Sequence, residues 1–325
     1  MNPMDLVTLL QGHKNYIQTH NYPDPDAVAS AFGLQRFLNK HGVEATICYA
    51  GTVEKLSTKM MFEVFGIDVY PINEVNDMGA DDFIVTVDAQ KYNANLTDFV
   101  GTEVACVDHH PTYVECEYNY KDVRMVGACS SIIAEYYYKT GTPMDTDVAS
   151  ALAYGIKMDT ADFMRGVTEL DVDMFAYVYK MADVSKISIM YSNVMEFAEL
   201  KAYAAALDDI KVCDKVGFAT IPFDCPDGLI AIISEFILSL DVVSVSIVYA
   251  LRKDGMKFSV RCEAGVVDAG RLIQEALKDI GSGGGHKEMA GGFVPKEWLE
   301  AHEKNYKSEI EHRFLNCLTN TLEKA

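Results

Sequence analysis

The first half of the chain alternates short apolar runs with segments of helical period. Tyr16–His20 reads as a strand, and Asp26–Lys40 as a helix whose apolar side is Val28, Leu34, Phe37 and Leu38. Val43–Tyr49 reads as a second strand and Lys55–Phe65 as a second helix. Phe83–Val87 and Val104–Val107 are short apolar runs flanked by polar residues. A strand buried on both faces, as in a parallel sheet, has this pattern; a half-buried strand would alternate. Helices are expected at Ser130–Tyr138, Asp147–Lys157 and Thr168–Met181. Strand and helix in alternation predict an α/β fold with a doubly wound, mostly parallel sheet.

The pattern changes after about residue 185. One long helical stretch is expected from Ile187 to Leu207, followed by a strand at Val216–Ile221, a helix at Gly228–Leu240 and a strand at Val242–Leu251. A turn at Lys253–Gly255 leads into Met256–Cys262, which alternates like a half-buried strand. Asp268–Ile280 reads as a helix with Asp268 at its N-cap, and Gly291–Val294 as a last strand beyond a glycine cluster. Consecutive strands joined by a tight turn predict a smaller α/β domain with a mixed sheet. The expected boundaries are 1–185 for the first domain, 186–207 for a helical connector and 208–325 for the second domain. Two domains also imply a cleft.

Composition narrows what such a molecule does. The chain has 325 residues and a formal net charge of −20, from 48 acidic against 28 basic residues. Affinity for long nucleic acid rests mostly on Lys and Arg neutralising phosphates, so this balance argues against long strands as partners. A small anion held at one local site is still allowed. The apolar region from Leu229 to Leu251 is interrupted by Ser234, Glu235, Ser239 and Asp241, so no membrane span is expected. The opening MNPMDLVTLLQGHKN has no basic n-region and no A-x-A site, which predicts no signal peptide and a cytoplasmic location. None of the eight cysteines has CxxC spacing, and buried, reduced thiols are expected. The tyrosines at 136–138, 177 and 179 are expected in the core, with a dimer surface or base-stacking as the alternatives.

The chemistry concentrates where strands end. Tyr16–His20 runs into His20-Asn-Tyr-Pro-Asp24-Pro-Asp26, Phe83–Val87 ends on Asp88, and Val104–Val107 ends on Asp108-His109-His110. Asp159 lies near the end of a predicted helix, where a negative charge opposes the helix dipole and hints at a cation nearby. Open α/β sheets place their sites at the C-terminal edge of the strands. Carboxylates and imidazoles without thiolates suit Mn²⁺ or Mg²⁺. Seven candidate donors, His20, Asp24, Asp26, Asp88, Asp108, His109 and Asp159, exceed one ion and suit two. Two cations about 3.5–4 Å apart can activate a nucleophile and stabilise a phosphoryl leaving oxygen. A second constellation is Gly281-Ser-Gly283-Gly284-Gly285-His286, where glycine amides could approach an anion. Arg261, on the preceding strand, could add a guanidinium.

These residues carry a resemblance. H-N-Y-P-D-P-D-A from His20, V-T-V-D to Asp88, V-D-H-H-P around His109, G-I-K-M-D-T around Asp159 and G-G-G-H to His286 resemble the ordered motifs of the DHH phosphoesterase superfamily with its DHH-associated C-terminal domain. Within it, the chain is most similar to the nanoRNase/pAp phosphatase group and related cyclic-dinucleotide phosphodiesterases. The resemblance implies that His20, Asp24, Asp26, Asp88, His109 and Asp159 bind two Mn²⁺ ions, with Asp88 bridging. It implies that Asp108 and His110 orient the site or assist the leaving group, that Ser130 and Ser131 open the helix after the DHH motif, and that Ser130 contacts the substrate. It implies that Arg261 and the loop Gly283–His286 grip the distal part of a nucleotide, with Arg165 and Arg252 as competitors for that role. Pro25 and the stretch Ala161-Asp162 stand where relatives often carry small residues or glycine.

The activity so implied is hydrolysis of very short oligonucleotides, linear dinucleotides such as pApA or pGpG, or pAp-type nucleotides. Mg²⁺ is an alternative cation, and a homodimer is allowed. Two rivals are an exopolyphosphatase or pyrophosphatase-like activity and a regulator that binds nucleotide without turnover.

Overall fold

A computed structural model describes residues 1–53, 55–192, 195–302 and 305–322. The chain divides into two compact units, Met1–Val194 and Met195–Ala325.

In the first unit, β1 (Asn15–Thr19), β2 (Ala45–Tyr49), β3 (Tyr70–Pro71), β4 (Phe83–Val87), β5 (Thr102–Asp108) and β6 (Tyr120–Val123) form one sheet. The order is β3-β2-β1-β4-β5-β6 and every pairing is parallel. The chain builds outward from β1 to β3, then returns to lay β4 on the other side of β1. That reversal is the switch point at which α/β sheets open a crevice beyond their strand ends. The helices are α1 (Pro3–Leu10), α2 (Pro25–Lys40), α3 (Leu56–Phe65), α4 (Cys129–Thr140), α5 (Thr146–Asp159), α6 (Glu169–Tyr179) and α7 (Val184–Met190).

One face of this sheet, through Ile17, Val85, Val87 and Val107, joins a core with Phe32, Phe37, Ile133 and Leu152. Burying side chains of this size stabilises by about 1.5–3 kcal/mol each. The other face carries a smaller cluster of Tyr16, Cys48 and Ile84 packed by Val75, Met78 and Phe99. Helix α2 is buried along most of its length because its N-terminal half is made of small residues: Ala27, Ala29, Ser30, Ala31 and Gly33. A Cβ on Gly33 would stand 2.9 Å from Ile133, and one on Gly155 of α5 would stand 2.4 Å from Ser130 Oγ and 2.9 Å from the Ala29 Cβ. These close approaches bring the start of α2, the start of α4 and the end of α5 together.

In the second unit, β7 (Lys211–Cys213), β8 (Val216–Ile221), β9 (Val245–Leu251), β10 (Gly255–Cys262), β11 (Ser282–Gly285) and β12 (Met289–Pro295) form a sheet in the order β11-β12-β10-β9-β8-β7. The β8–β9 pairing is parallel and the rest are antiparallel, which makes the sheet mixed. Helices α8 (Leu200–Asp209), α9 (Asp227–Leu238), α10 (Ala269–Ala276), α11 (Lys296–Ala301) and α12 (Tyr306–Leu322) complete it. Two clusters cover the two faces: Phe258, Ile273 and Phe314 in one, Ile221, Ile230 and Val248 in the other.

Several details differ from the sequence reading. The expected helix from Ile187 to Leu207 is instead α7 and α8, with a short 3₁₀ turn at Phe197–Glu199; residues 193 and 194 lie outside the described residues. The glycine cluster is the edge strand β11, not a loop. Gly283 permits it by leaving room for Ile273, and at Gly285 (φ 156°) a Cβ would stand only 2.5–2.8 Å from atoms of Met289 and Ala290 and would clash. Tyr136 and Tyr137 are core residues, whereas Tyr138 and Tyr179 are exposed at 61% and 43%. Five cysteines are buried, and burial pushes the Cys48 and Cys106 thiols up to about 12. Cys213 is exposed, because it lies on the short, solvated edge strand β7. Among the described residues, no helix is long and apolar enough to cross a membrane.

The α2–α4–α5 junction gives a test of packing. Glycine to alanine inside a helix normally gains about 0.5–1 kcal/mol, but overpacking a rigid contact costs about 1–3 kcal/mol. Ala29 cannot rotate away, so Gly155→Ala is expected to lower the urea midpoint by the equivalent of about 1–2 kcal/mol. A raised midpoint would mean that the junction is looser than described.

Candidate metal centre

His20 stands just beyond β1. Its Nδ1–H donates to the Asn21 carbonyl at 2.7 Å, which turns Nε2 toward Asp24 Oδ1 (3.9 Å) and Asp88 Oδ2 (3.6 Å). Asp24 is the N-cap of α2 and accepts from the amides of Asp26 and Ala27, with Pro25 suited to the first helical position. The proline therefore fits the helix start while both acids are kept. Asp26, nearly wholly buried, accepts from the amides of Cys129 (2.7 Å) and Ser130 (2.9 Å) at the N-terminus of α4. A helix N-terminus stabilises a carboxylate there.

Asp88 follows β4 in a left-handed conformation (φ 59°). Its two oxygens face opposite ways. Oδ1 lies 3.2 Å from His109 Nε2 and 3.6 Å from His110 Nδ1, while Oδ2 lies 3.6 Å from His20. His109 donates its Nδ1–H to the Val126 carbonyl at 3.0 Å and presents Nε2 to Asp159 Oδ2 at 3.2 Å and Asp26 Oδ2 at 3.9 Å. Both imidazoles are thus anchored through Nδ1, the arrangement by which backbone carbonyls orient metal-binding histidines. Asp159 is the last residue of α5.

Three groups among the described residues have donor atoms close enough to share an ion: His20, Asp24 and Asp88; Asp88, His109 and His110; and Asp26, His109 and Asp159. Asp88 belongs to two of them, as does His109. The fit to divalent cations rests on the polar atoms themselves. Asp88 Oδ1 and His109 Nε2 are buried and, although 3.2 Å apart, make no hydrogen bond of good geometry, which leaves both open to a cation. The donors are oxygen and imidazole nitrogen only, as Mn²⁺ or Mg²⁺ prefers.

The electrostatics carry the same demand for positive charge. Burial opposes the charged form of His20, yet Asp24 and Asp88 outweigh it and lift its pKa to about 11. Burial likewise opposes a charged His109, and Asp88, Asp26 and Asp159 lift it to about 11. Burial, followed by repulsion from Asp88 and Asp159, pushes Asp26 well above the usual carboxylate range. Burial pushes Asp159 up to about 6. Asp88 resists its own burial because the imidazoles of His109 and His20 hold its pKa below the usual range. Protons stand here where multivalent cations would relieve the same repulsion.

The remaining expected residues lie elsewhere. Asp108 is fully buried and lies outside all three groups; it accepts from His110 Nδ1–H (2.8 Å) and Gln90 Nε2 (2.7 Å). Ser130 is buried: its amide serves Asp26 and its hydroxyl meets Ser30 at 3.2 Å, so it shapes the acid rather than offering an exposed contact. Ser131 donates to Asp171. Arg165 donates to the Asp159 carbonyl at 2.9 Å and stays half exposed. In the second unit, Arg261 pairs with Glu235 at 2.9 Å and Arg252 with Asp227. Gly284 and His286 are exposed, and Gly283 is half-buried. Two supporting residues were missed. Gln90 had no sequence signal. Asp171 had one, since Thr168-x-x-Asp171 has capping-box spacing.

A family model described as the DHH family, N-terminal domain, matches residues 14–156, and one described as the DHHA1 domain matches residues 214–313. The chain belongs to the DHH phosphoesterase superfamily. This DHH chain is 26% identical over 283 residues to an uncharacterised protein of Methanocaldococcus jannaschii, a match covering 86% of this chain and 57% of that one. It therefore spans little more than half the length of that relative. It is 26% identical over 150 residues to a "probable manganese-dependent inorganic pyrophosphatase" of Streptococcus thermophilus, covering 45% of this chain and 48% of that one. The crystal structure of an exopolyphosphatase-related protein from Bacteroides fragilis superposes with a TM-score of 0.74 at 18% identity, over 97% of each chain. At that identity the similarity speaks for the fold.

Asp171 yields a prediction. It is fully buried and accepts from the amides of Gly127 and Thr168 and the hydroxyls of Ser131 and Thr168. Asp171→Ala strands these donors next to the start of α4, so a loss on the order of 3 kcal/mol in chemical unfolding is expected. A loss under about 1 kcal/mol would show that the network is replaced by water.

Proposed function

We propose that this DHH protein is a two-metal, Mn²⁺-dependent phosphoesterase acting on very short oligonucleotides, linear dinucleotides such as pApA and pGpG, or pAp-type nucleotides, in the cytoplasm. The observation that carries the reading is Asp88, whose two oxygens face separate donor groups and suit it to bridge two ions. The other ligands are His20, Asp24, Asp26, His109 and Asp159. Cations bound there supply Lewis acidity toward a phosphoryl oxygen and a nucleophile at neutral pH.

The chain's own residues divide the rest of the work. His110 has its Nδ1 proton engaged by Asp108, and Gln90 holds Asp108 in turn, so the ring is fixed with Nε2 left for the substrate. Such a ring can pass a proton to the leaving oxygen. Arg165 places a half-exposed guanidinium beside Asp159, where it can bind phosphate oxygens. Arg261, Gly283, Gly284, Gly285 and His286 are the second unit's substrate-binding residues in this reading. The net charge of −20 supports short substrates, because a long strand would meet repulsion beyond the local site. The named activity of the streptococcal relative favours a second reading, hydrolysis of inorganic pyrophosphate or polyphosphate.

Turnover with Mn²⁺ of pAp, pApA, pGpG, five-nucleotide RNA, cyclic di-AMP and polyphosphate separates these. Release of mononucleotide from pApA or pGpG well above phosphate release from polyphosphate is expected; the reverse order would favour the second reading. Asp88→Ala is expected to abolish turnover and to remove the rise in Tm that Mn²⁺ gives the folded protein. Arg165→Ala is expected to lower kcat/KM about 10- to 100-fold, the range for a lost charge-assisted hydrogen bond. Turnover retained in Asp88→Ala would sink the assignment.

A further inference from the structure

Backbone strain in the first unit falls, along the chain, close to the residues of the metal centre. Among its described residues, the non-glycine positions with positive φ are Tyr22, Asp88, Tyr92, Ala161, Asp162 and Phe163, between 48° and 67°. Each lies within four residues of a side chain in the three donor groups. Left-handed backbone is unfavourable for any residue with a Cβ and especially for a bulky one. Such strain persists where something else requires the side chain in place.

For most of these residues that requirement is visible. Asp88 presents its carboxylate, Phe163 packs its ring on Phe175 at 4.9 Å, and Asp162 pairs with Lys157 at 2.9 Å. Tyr22 and Tyr92 are different. These two residues are 55% and 60% exposed, so neither recovers the strain through burial. Asparagine or glycine would sit there more comfortably. The Tyr22 ring lies against Gly51, itself at φ 78°, where a Cβ would come within 3.1 Å of the ring. Gly51 thus makes a seat for one side of the ring and leaves the rest to solvent. The Tyr92 ring has the Lys91 ammonium 5.4 Å from its centroid, and Lys91 is held by Glu103 at 2.6 Å.

The two tyrosines belong to loops that are fastened together. Asn21 donates its amide to the Asn95 carbonyl and its side chain to Thr97 Oγ1 (3.0 Å), and it accepts from the Thr97 amide (3.2 Å). One loop carries His20 and Asp24, and the other begins at Asp88. Two exposed tyrosines are thereby carried on tied loops, Tyr22 two residues from both His20 and Asp24 and Tyr92 four residues from Asp88.

We propose that Tyr22 and Tyr92 form a nucleobase-stacking platform beside the metal centre, which rests on the phosphoesterase reading above and narrows its substrates to nucleoside phosphates. A planar base gains from stacking on an exposed aromatic ring, and it does so with little dependence on which base it is. An inorganic phosphate chain has no such face to offer.

The test compares kcat/KM, in Mn²⁺, for pApA and for the same dinucleotide backbone without bases. Asparagine tolerates left-handed backbone, so Tyr22→Asn and Tyr92→Asn are expected to fold, with Tm equal to or above the parent value. The ratio of pApA to abasic turnover is expected to fall roughly ten-fold in each. Tyr22→Trp, which keeps a larger ring, is expected to hold or raise the ratio. If the parent protein cleaves pApA but its ratio is the same in all three variants, the platform is overturned and the phosphoesterase reading stands. If the parent protein turns over only pyrophosphate or polyphosphate, the reading falls and the platform with it.

Discussion

Mutual repulsion among buried carboxylates is the constraint on which this architecture turns. Asp24, Asp26, Asp88 and Asp159 converge around two imidazoles. Two like charges 4 Å apart repel by about 4 kcal/mol at the effective dielectric of a protein surface. Acids can be gathered so closely only if positive charge is gathered with them. Without cations, protons on His20 and His109 and the amides at the starts of α2 and α4 perform that service. Asp88 stands at the centre, because each of its oxygens faces a different imidazole set.

The fold exists in a form that makes this gathering geometrically cheap. The order of strand addition reverses between β1 and β4 while all strands stay parallel, so β1, β4 and β5 deliver His20, Asp88 and His109 to one edge. The small residues of α2 and Gly155 of α5 let three helices approach until their ends meet at Asp26 and Asp159. Asp171 and Gly127 secure the start of α4 from behind. The acidic surface then has a clear relation to the centre: it confines attraction for phosphate to the place where cations would sit.

Much of this was legible in the sequence because strand-end acids and histidines are local signals. A buried apolar run followed at once by Asp88 or by Asp108-His109-His110 states both the strand and its cargo. The partners that hold Asp108 and Asp26 were not legible. One is held by Gln90 and His110, the other by two amides 103 and 104 residues away, and nothing in linear spacing encodes such partners. Strand β11 was missed because glycine has no strand signature; pairing with β12 and packing on Ile273 hold it. The break between α7 and α8 was missed because helical periodicity continued across it. Left-handed tyrosines at 22 and 92 carry no signal at all in a single sequence, since only the backbone reveals their strain.

The most direct test of the central claim is diffraction from crystals grown with Mn²⁺, recorded at the manganese absorption edge. Two anomalous peaks are predicted in the first unit, each within coordinating distance of a different Asp88 oxygen. One peak would be shared with His20 and Asp24, the other with His109. Peaks remote from Asp88, or an Asp88 carboxylate that still contacts only imidazole at saturating Mn²⁺, would contradict the account.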